Sequence, residues 1–220
     1  YDIAPENQLN ILLCEVPEDI DWPASVKFAG TLICTSTTTN GITVNADDVT
    51  IDLNGFTLIG SGATSGSGIY QSSAYRNLRV HNGKIVQWRG AMQGSVTASG
   101  KNNQFDHIQA ATNTYGIRST PSSRISDCSA YNNSDDGIHA TSDATISGCS
   151  AYNNGDYGIL VGSGSTISGC TASYNSGIGI YPNTGSTISG CTVSYNSNDG
   201  IYAGDGAMIS GCTAYYNGDD

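Results

Sequence analysis

Hydrophobic and polar residues alternate over short stretches in the second half of the chain, and glycine or asparagine ends each stretch. Ile146, for example, stands between Thr145 and Ser147, and Ala151 stands between two hydroxyl-bearing residues. Alternation with a period of two is typical of β-strands that bury one face, and no stretch has the spacing of an amphipathic helix. The pattern therefore predicts an all-β chain of short strands joined by tight turns.

The same pattern recurs with a fixed period of 21 residues from Ile125 onward. The successive repeats begin ISDCSAYNN, ISGCSAYNN, ISGCTASYN, ISGCTVSYN and ISGCTAYYN. A fixed period of this size indicates a solenoid, in which each repeat is one coil that stacks on its neighbours. Stacking at the strand spacing of about 4.8 Å would align identical residues into ladders. The predicted ladders are Cys128, Cys149, Cys170, Cys191 and Cys212, and Asn133, Asn154, Asn175, Asn196 and Asn217.

Composition and charge narrow the classes of partner. The chain has 28 glycines, which without a period would indicate low complexity, but many of them recur at fixed positions that mark bends. A net charge of −11 argues against a nucleic-acid partner. No apolar run is long enough for a membrane span.

The Ile–Cys–Asn–Gly-Ile coil resembles the right-handed parallel β-helix of pectin-lyase-like proteins, and is most similar to the NosD-like repeats of secreted carbohydrate-interacting proteins. Residues 41–60 and 78–88 resemble the first coils of that family. We therefore predict a right-handed parallel β-helix of about eight coils over residues 41–220, with residues 1–40 as an N-terminal cap. The family includes lyases, hydrolases, epimerases, adhesins and accessory proteins, so the resemblance implies no single function.

Two cysteines, Cys14 and Cys34, lie outside the repeat, in the segment predicted to form the cap. We expect the five ladder thiols to be free and buried, where they act as small hydrophobic groups rather than as metal ligands. For Cys14 and Cys34 we predict a disulfide if the protein is secreted.

Residues suited to catalysis concentrate in the less regular part of the chain up to residue 124, where all eight Lys and Arg lie. Aligning the core residues of these coils places Arg79, His81, Asp106 and Arg124 on one outward face. A carboxylate beside an imidazole can perform general acid–base chemistry, and an arginine can neutralise the uronate of a polysaccharide. If the protein is an enzyme, His81, Asp106 and Arg124 are therefore its predicted catalytic residues. The alternative is a solvated face with ordinary ion pairs.

A second outward row follows the Gly-Ile pairs and contains His139, Tyr181 and Tyr202. We predict that these three residues bind carbohydrate, with cross-strand stabilisation of the sheet as the alternative. Asp135 and Asp136 weakly resemble the paired aspartates of polygalacturonase-type hydrolases. The equivalent positions of the next coils read DYGI, GIGI and NDGI, so they accept small, polar or acidic residues, and no catalytic role is predicted for this pair.

Aspartates near the turns could bind a structural Ca²⁺ ion, although they do not form a recognised calcium repeat. No other metal or cofactor is expected. These aspartates are Asp135, Asp136, Asp156, Asp199 and Asp205.

The uninterrupted coils favour a structural function. We expect a secreted or cell-surface stalk, or a head-to-tail filament or surface-layer element, with polysaccharide as a further contact. The last repeat stops before its Gly-Ile strand, and open strand edges attract another chain. Either the sequence is a fragment of a longer protein, or another subunit covers the open end, and in the second case self-association through the ends of the β-helix is expected. The first alternative is a polysaccharide lyase, hydrolase or epimerase that acts on acidic glycans. The second alternative is a non-catalytic carbohydrate-binding module.

Overall fold

The computed structural model describes residues 8–9, 13–14, 18–35, 39–62, 66–88 and 94–219. In these residues every strand pairs in parallel with its neighbours, in one sheet of 18 strands (sheet A) and one of 8 strands (sheet B). The chain winds through about nine turns of a parallel β-solenoid, which confirms the predicted fold class. Within the described ranges, no helix is long and apolar enough to cross a membrane.

Sheet A contains the first and second strands of each coil, and sheet B contains the third. In sheet A the strands are β1 (Gln8–Leu9), β2 (Leu13–Cys14), β4 (Ser25–Phe28), β5 (Leu32–Cys34), β7 (Thr50–Asp52), β8 (Thr57–Ile59), β10 (Arg79–Val86), β12 (Gln104–Ala111), β14 (Arg124–Ser126), β15 (Ser129–Tyr131), β17 (Thr145–Ser147), β18 (Ser150–Tyr152), β20 (Thr166–Ser168), β21 (Thr171–Ser173), β23 (Thr187–Ser189), β24 (Thr192–Ser194), β25 (Met208–Ser210) and β26 (Thr213–Tyr215). In sheet B they are β3 (Glu18–Ile20), β6 (Ile42–Val44), β9 (Ile69–Gln71), β11 (Gly94–Ala98), β13 (Tyr115–Ser119), β16 (Ile138–Ala140), β19 (Ile159–Val161) and β22 (Ile180–Pro182).

Both predicted ladders are present inside the solenoid. Each ladder asparagine donates a side-chain hydrogen bond of 2.9 Å to the amide oxygen of the next, beginning with Asn133 and Asn154. The thiols of Cys128, Cys149, Cys170 and Cys191 are buried and free. The neighbouring thiols and burial raise the pKa of Cys149 to about 12, so this thiol stays protonated and behaves as an apolar group.

Three positions in each regular coil have a left-handed backbone, and two of them are the corners that flank the second strand of sheet A. The first corner, between the two strands of sheet A, is a glycine in the last four coils, for example Gly169 with φ +59°. The second corner, between sheets A and B, is Asn132 and then Asn153, both with φ 54°. In the next three coils it is a tyrosine, and these residues are Tyr174, Tyr195 and Tyr216.

We expect Gly169→Ala to lower the free energy of unfolding by about 1–2 kcal/mol, because a Cβ atom disfavours this backbone conformation. A Cβ at Gly169 would meet no atom within 4 Å, so the loss reports backbone strain alone. Gly169→Asn should lose less, since asparagine tolerates positive φ. Chemical denaturation measures both variants, and Thr166→Ala, at an exposed site in the same coil, is the control. Equal losses for alanine and asparagine would contradict this explanation.

The segment expected to form a cap already pairs as part of the solenoid. Strands β1, β2 and β3 pair in parallel with β4, β5 and β6, so the ladders begin before residue 41. Unequal coil lengths in this part conceal these strands from a search for a fixed period. Cys14 lies opposite Cys34 in the register, but the Cys14 side chain is outside the described residues, and the disulfide stays a prediction.

Candidate functional site

The residues predicted to be catalytic do lie on one outward face of sheet A. His81 is in register with Asp106, and Arg79 with Gln104. Gln104 is in turn in register with Arg124. The alignment made through these irregular coils is therefore confirmed. A shallow pocket on this face is lined by Arg79, Gln104, Phe105, Asp106, His107, Arg124 and Ser126.

The contacts on this face are those of an ion-pair ladder. Arg79 donates two hydrogen bonds, of 3.1 and 3.0 Å, to the carboxylate of Asp106. The imidazole of His81 lies 3.8 Å from the carboxylate of Asp52, one coil earlier. Burial acts to raise the pKa of Asp106, but the hydrogen bonds and charge of Arg79 outweigh it and lower the pKa overall. A carboxylate held ionised in this way is a poor general acid.

We expect Arg79→Ala to raise the pKa of Asp106, because the opposing effect of burial would remain. Arg124→Ala is the matched control, since Arg124 lines the same pocket but makes no described bond to Asp106. A carbon NMR titration measures the pKa of the Asp106 carboxyl in both variants.

The ion pair between Arg79 and Asp106 also makes stability depend on pH. Because the pKa of Asp106 is lower in the folded state than in the unfolded state, the pair stabilises the fold above the unfolded pKa. This stabilisation is lost as the pH falls through the folded pKa. Arg79 is 46% exposed, so we expect less than about 1 kcal/mol. An equal shift in Arg124→Ala would contradict a specific pair.

A more compact group of titratable side chains lies on sheet B, around His139. The Nδ1 atom of His139 is 2.9 Å from Oδ2 of Asp136, three residues earlier, across the turn that leads into β16. The other carboxylate oxygen of Asp136 accepts a hydrogen bond of 3.2 Å from the backbone N–H of Tyr157. Asp136 is buried, whereas the His139 side chain is 27% exposed. The buried carboxylate therefore fixes the imidazole and leaves Nε2 as the ring nitrogen available for chemistry.

Two further carboxylates complete this group, which we call the sheet B cluster (Asp135, Asp136, His139 and Asp156). Carboxylate oxygens of Asp135, Asp136 and Asp156 lie within 4.8 Å of one another. Burial, followed by the charges of Asp136 and Asp135, raises the pKa of Asp156. Asp156 therefore keeps its proton to a higher pH than an ordinary carboxyl, which is the property of a general acid.

A tyrosine and an arginine border the sheet B cluster. Burial and a hydrogen bond to Asp135 raise the pKa of Tyr115 to about 12, so its hydroxyl stays protonated. The Arg118 guanidinium lies over the Tyr115 ring, 5.4 Å from its centroid, and Arg118 is in register with His139. The cluster thus combines carboxylates, an oriented imidazole, a phenol and a cation.

Three of the five aspartates considered for Ca²⁺, namely Asp135, Asp136 and Asp156, are those that the fold brings together. Oxygen ligands of Ca²⁺ lie 2.3–2.6 Å from the ion, so oxygens separated by up to 4.8 Å are compatible with one ion between them. Oδ1 of Asp136 already accepts a hydrogen bond from the Tyr157 N–H, and Oδ2 lies at hydrogen-bond distance from His139. The calcium site stays a prediction.

The predicted carbohydrate-binding residues form a row that continues from the sheet B cluster along the solenoid. His139 is followed in register by Leu160 and then Tyr181. Tyr181 meets Tyr157 at an interplanar angle of 49° and Tyr202 at 61°. Because these rings are inclined to one another, they do not cover one another's faces as parallel rings do, and an aromatic face is the surface on which a sugar ring packs.

The sequence placed His139 and Asp136 in separate patterns, and only the folded turn brings them together. The i, i+3 spacing across Gly137 was the available signal, but neighbouring coils carry other residues at these positions. Within the sheet B cluster, Asp135 and Asp156 occupy equivalent positions of successive coils, whereas Asp136 and His139 are replaced by Tyr157 and Leu160 one period later. The 21-residue period therefore does not reveal the contact between Asp136 and His139.

The model of the family described as "Right handed beta helix region" matches residues 31–186 and 91–220. Among solved structures, the Dettilon tailspike protein (gp208) is 10% identical with a TM-score of 0.69, covering 93% of this chain and 54% of that one. Pectate lyase Pel9A is 15% identical with a TM-score of 0.60, covering 89% and 61%. The mannuronan C-5 epimerase AlgE4 A-module of Azotobacter vinelandii is 12% identical with a TM-score of 0.60, covering 90% and 84%.

These similarities concern the fold, because the identities are low. The chain spans about half of the tailspike and about three fifths of the lyase. A comparison with curated protein sequences gave no match. The family model covers most of the chain, and the solved structures share its pectin-lyase-like architecture. This chain belongs to the right-handed β-helix family.

Proposed function

We propose that this protein acts on a polysaccharide by general acid–base chemistry at the sheet B cluster. The observation that carries the proposal is the buried Asp136 carboxylate that orients His139, beside an Asp156 carboxyl whose pKa is raised. An oriented base and a nearby protonated acid are what cleavage of a glycosidic bond requires. The pectate lyase and the epimerase among the solved structures, which share this fold, support a glycan substrate.

In the proposed chemistry, each group has a distinct part. Asp136 holds the imidazole through Nδ1, so Nε2 of His139 accepts a proton from water or substrate. Asp156 donates its proton to the departing glycosidic oxygen. Tyr115 stays protonated and donates a hydrogen bond, while Arg118 supplies positive charge beside the Tyr115 ring. The raised pKa of Asp156 fits its part as the acid.

The tyrosines of sheet B provide the binding surface in this proposal. Tyr157, Tyr181 and Tyr202 follow the sheet B cluster along the solenoid axis, and Tyr202 is 53% exposed. A linear glycan that lies along sheet B would contact the acid–base groups and the aromatic groups together. The same surface would serve the alternative function, a carbohydrate-binding module without catalysis.

A turnover screen tests the proposal, with neutral and uronic acid polysaccharides, with Ca²⁺ and with a chelator. New reducing ends, unsaturated ends and epimerised residues are measured separately. We expect His139→Ala to lower turnover on any active substrate by about 10²-fold or more. His107→Ala, an exposed histidine on sheet A, is the matched control and should retain wild-type turnover.

The outcomes of this screen separate the functions. No turnover on the whole panel would overturn the enzymatic proposal. Binding without turnover that requires Tyr181 would favour the carbohydrate-binding module. Turnover that depends on His81 and not on His139 would instead favour the face on sheet A.

The structural role stays a prediction, as do the secreted or cell-surface location and the absence of a nucleic-acid partner. The last described coil exposes Met208 and Ile209. A further coil of a longer solenoid, or a second copy of the chain, would cover the same side chains. Sedimentation at increasing protein concentration tests the self-association, which we expect to be visible as concentration-dependent growth in mass.

A further inference from the structure

Three tyrosines occupy a backbone conformation that bulky residues rarely adopt. Tyr174, Tyr195 and Tyr216 form the second corner of successive coils, with φ of 56°, 56° and 55°. In the two preceding coils the same corner is Asn132 and Asn153, which tolerate this conformation better. In three consecutive coils, a tyrosine thus replaces the asparagine that is better suited to this corner.

At the first corner of the same coils, the chain adopts a left-handed backbone without strain. Gly169, Gly190 and Gly211 provide positive φ there at no steric cost. Strained residues persist where the side chain serves a purpose that the backbone does not. We therefore expect the three tyrosine rings at the second corner to have a role on the outer surface of the solenoid.

These rings stack face to face on the surface. The centroids of Tyr174 and Tyr195 are 4.9 Å apart, with an interplanar angle of 1°. Tyr195 and Tyr216 are 5.1 Å apart at 25°. Tyr174 and Tyr195 are 57% and 44% exposed. Because the rings cover one another's faces, they are poorly placed to pack on a sugar, and they present their edges and hydroxyl groups to solvent.

We propose that Tyr174 and Tyr195 are a site of one-electron oxidation, at which the two rings couple to a dityrosine that joins adjacent coils. The oxidant class is a haem peroxidase with hydrogen peroxide. Each phenol loses one electron and its hydroxyl proton, which gives two neighbouring phenoxyl radicals. A carbon–carbon bond then forms between the carbons ortho to the two oxygens. The ring hydrogens of those carbons move to the oxygens and restore both phenols. Two protons and two electrons leave in total, and they reduce one hydrogen peroxide to two waters.

The exposure and parallel alignment of the pair favour coupling within one molecule. The identical corner geometry holds both rings side by side before oxidation, so the radicals need not find a partner by diffusion. A second stack provides an internal comparison. Tyr131 and Tyr152 are 5.0 Å apart at 2°, but both are half-buried, and Lys84 lies over the Tyr131 ring. We expect this covered pair to react less.

The proposed bond would join residues 21 positions apart and so restrict the unfolded chain, as a disulfide does. Oxidised protein should therefore melt at a temperature roughly 5–10 °C higher than untreated protein. The proposal is independent of the glycan chemistry proposed above, because these rings lie outside the sheet B cluster.

The test is treatment of dilute, folded protein with peroxidase and limiting hydrogen peroxide. We expect dityrosine fluorescence, a monomer lighter by two hydrogen atoms, and a cross-linked peptide that contains Tyr174 and Tyr195. Tyr195→Phe removes one phenol and keeps the ring, so the cross-linked peptide that contains positions 174 and 195 should disappear and the dityrosine fluorescence should fall. Tyr152→Phe is the matched control for the second stack and should leave the cross-link intact.

Each other outcome would overturn the proposal. A cross-link that maps to Tyr131 and Tyr152, or that joins two molecules, would place the reaction elsewhere. An unchanged dityrosine yield in Tyr195→Phe would do the same. Circular dichroism of each variant before oxidation ensures that a lost signal is not caused by misfolding.

Discussion

Replacing Asn175 with alanine is expected to lower the free energy of unfolding by about 3–5 kcal/mol, because several buried polar groups would lose their partners. The amide nitrogen of Asn175 donates to the Ala151 carbonyl at 3.2 Å and to Asn196 at 2.9 Å. Its amide oxygen accepts from the backbone N–H and the side-chain amide of Asn154, at 3.1 and 2.9 Å. Alanine would leave the Asn154 N–H buried and unpaired, at about 1–3 kcal/mol, and would also remove the side-chain hydrogen bonds to the Ala151 carbonyl and to the Asn154 amide, at about 1 kcal/mol each.

The experiment compares Asn175→Ala with Asn198→Ala. Asn198 is an exposed asparagine two residues after Asn196, in the next coil, and its replacement should change stability by less than about 0.5 kcal/mol. Solenoids can unfold in stages, so chemical denaturation is accompanied by amide hydrogen exchange. The Asn154 N–H should exchange faster in Asn175→Ala, since it loses its acceptor. A loss below about 1 kcal/mol with unchanged exchange at Asn154 would show that the ladder bonds are replaced by other contacts.

The asparagine ladder was predictable because a fixed period carries three-dimensional information. Residues 21 positions apart must occupy equivalent places in neighbouring coils, so identical Asn or Cys residues must stack. The same logic, applied to aligned core residues, placed His81 opposite Asp106 in coils of unequal length, as the strand pairing has it. Alternation within strands also separated inward from outward positions, because successive side chains point to opposite faces.

Side-chain contacts and backbone strain that arise at a single turn or corner could not be predicted from the 21-residue period. The contact between His139 and Asp136 depends on the course of a turn that period and alternation do not describe. The strain at Tyr174 is likewise invisible in the sequence, where the tyrosine appears only as a one-place shift from Tyr152. The N-terminal strands were missed as coils because no repeat length reveals them. Function in this fold is thus expected where the repeat is broken, since regular positions are already occupied by stacking.

Asp156→Asn is expected to lower kcat/KM on the substrate identified by the screen by about 10²–10⁴-fold, because asparagine has no proton to transfer. Asp156 is the proposed acid, and burial together with the charges of Asp136 and Asp135 raises its pKa. The group must be protonated to act, so the rate that depends on it falls as pH rises. Asparagine keeps the size of the side chain, so we expect the variant to fold as the wild type does.

The shape of the pH profile distinguishes an acid from a residue that only shapes the site. In Asp156→Asn the residual rate no longer depends on a proton at position 156, so it should rise to a plateau at alkaline pH instead of falling. Asp143→Asn is the matched control, since Asp143 lies at an exposed turn with φ 59°, a conformation that asparagine accepts. Its kcat/KM and pH profile should equal those of the wild type. A profile for Asp156→Asn that falls in parallel with the wild type would remove Asp156 as the acid, because the alkaline loss would then belong to another group.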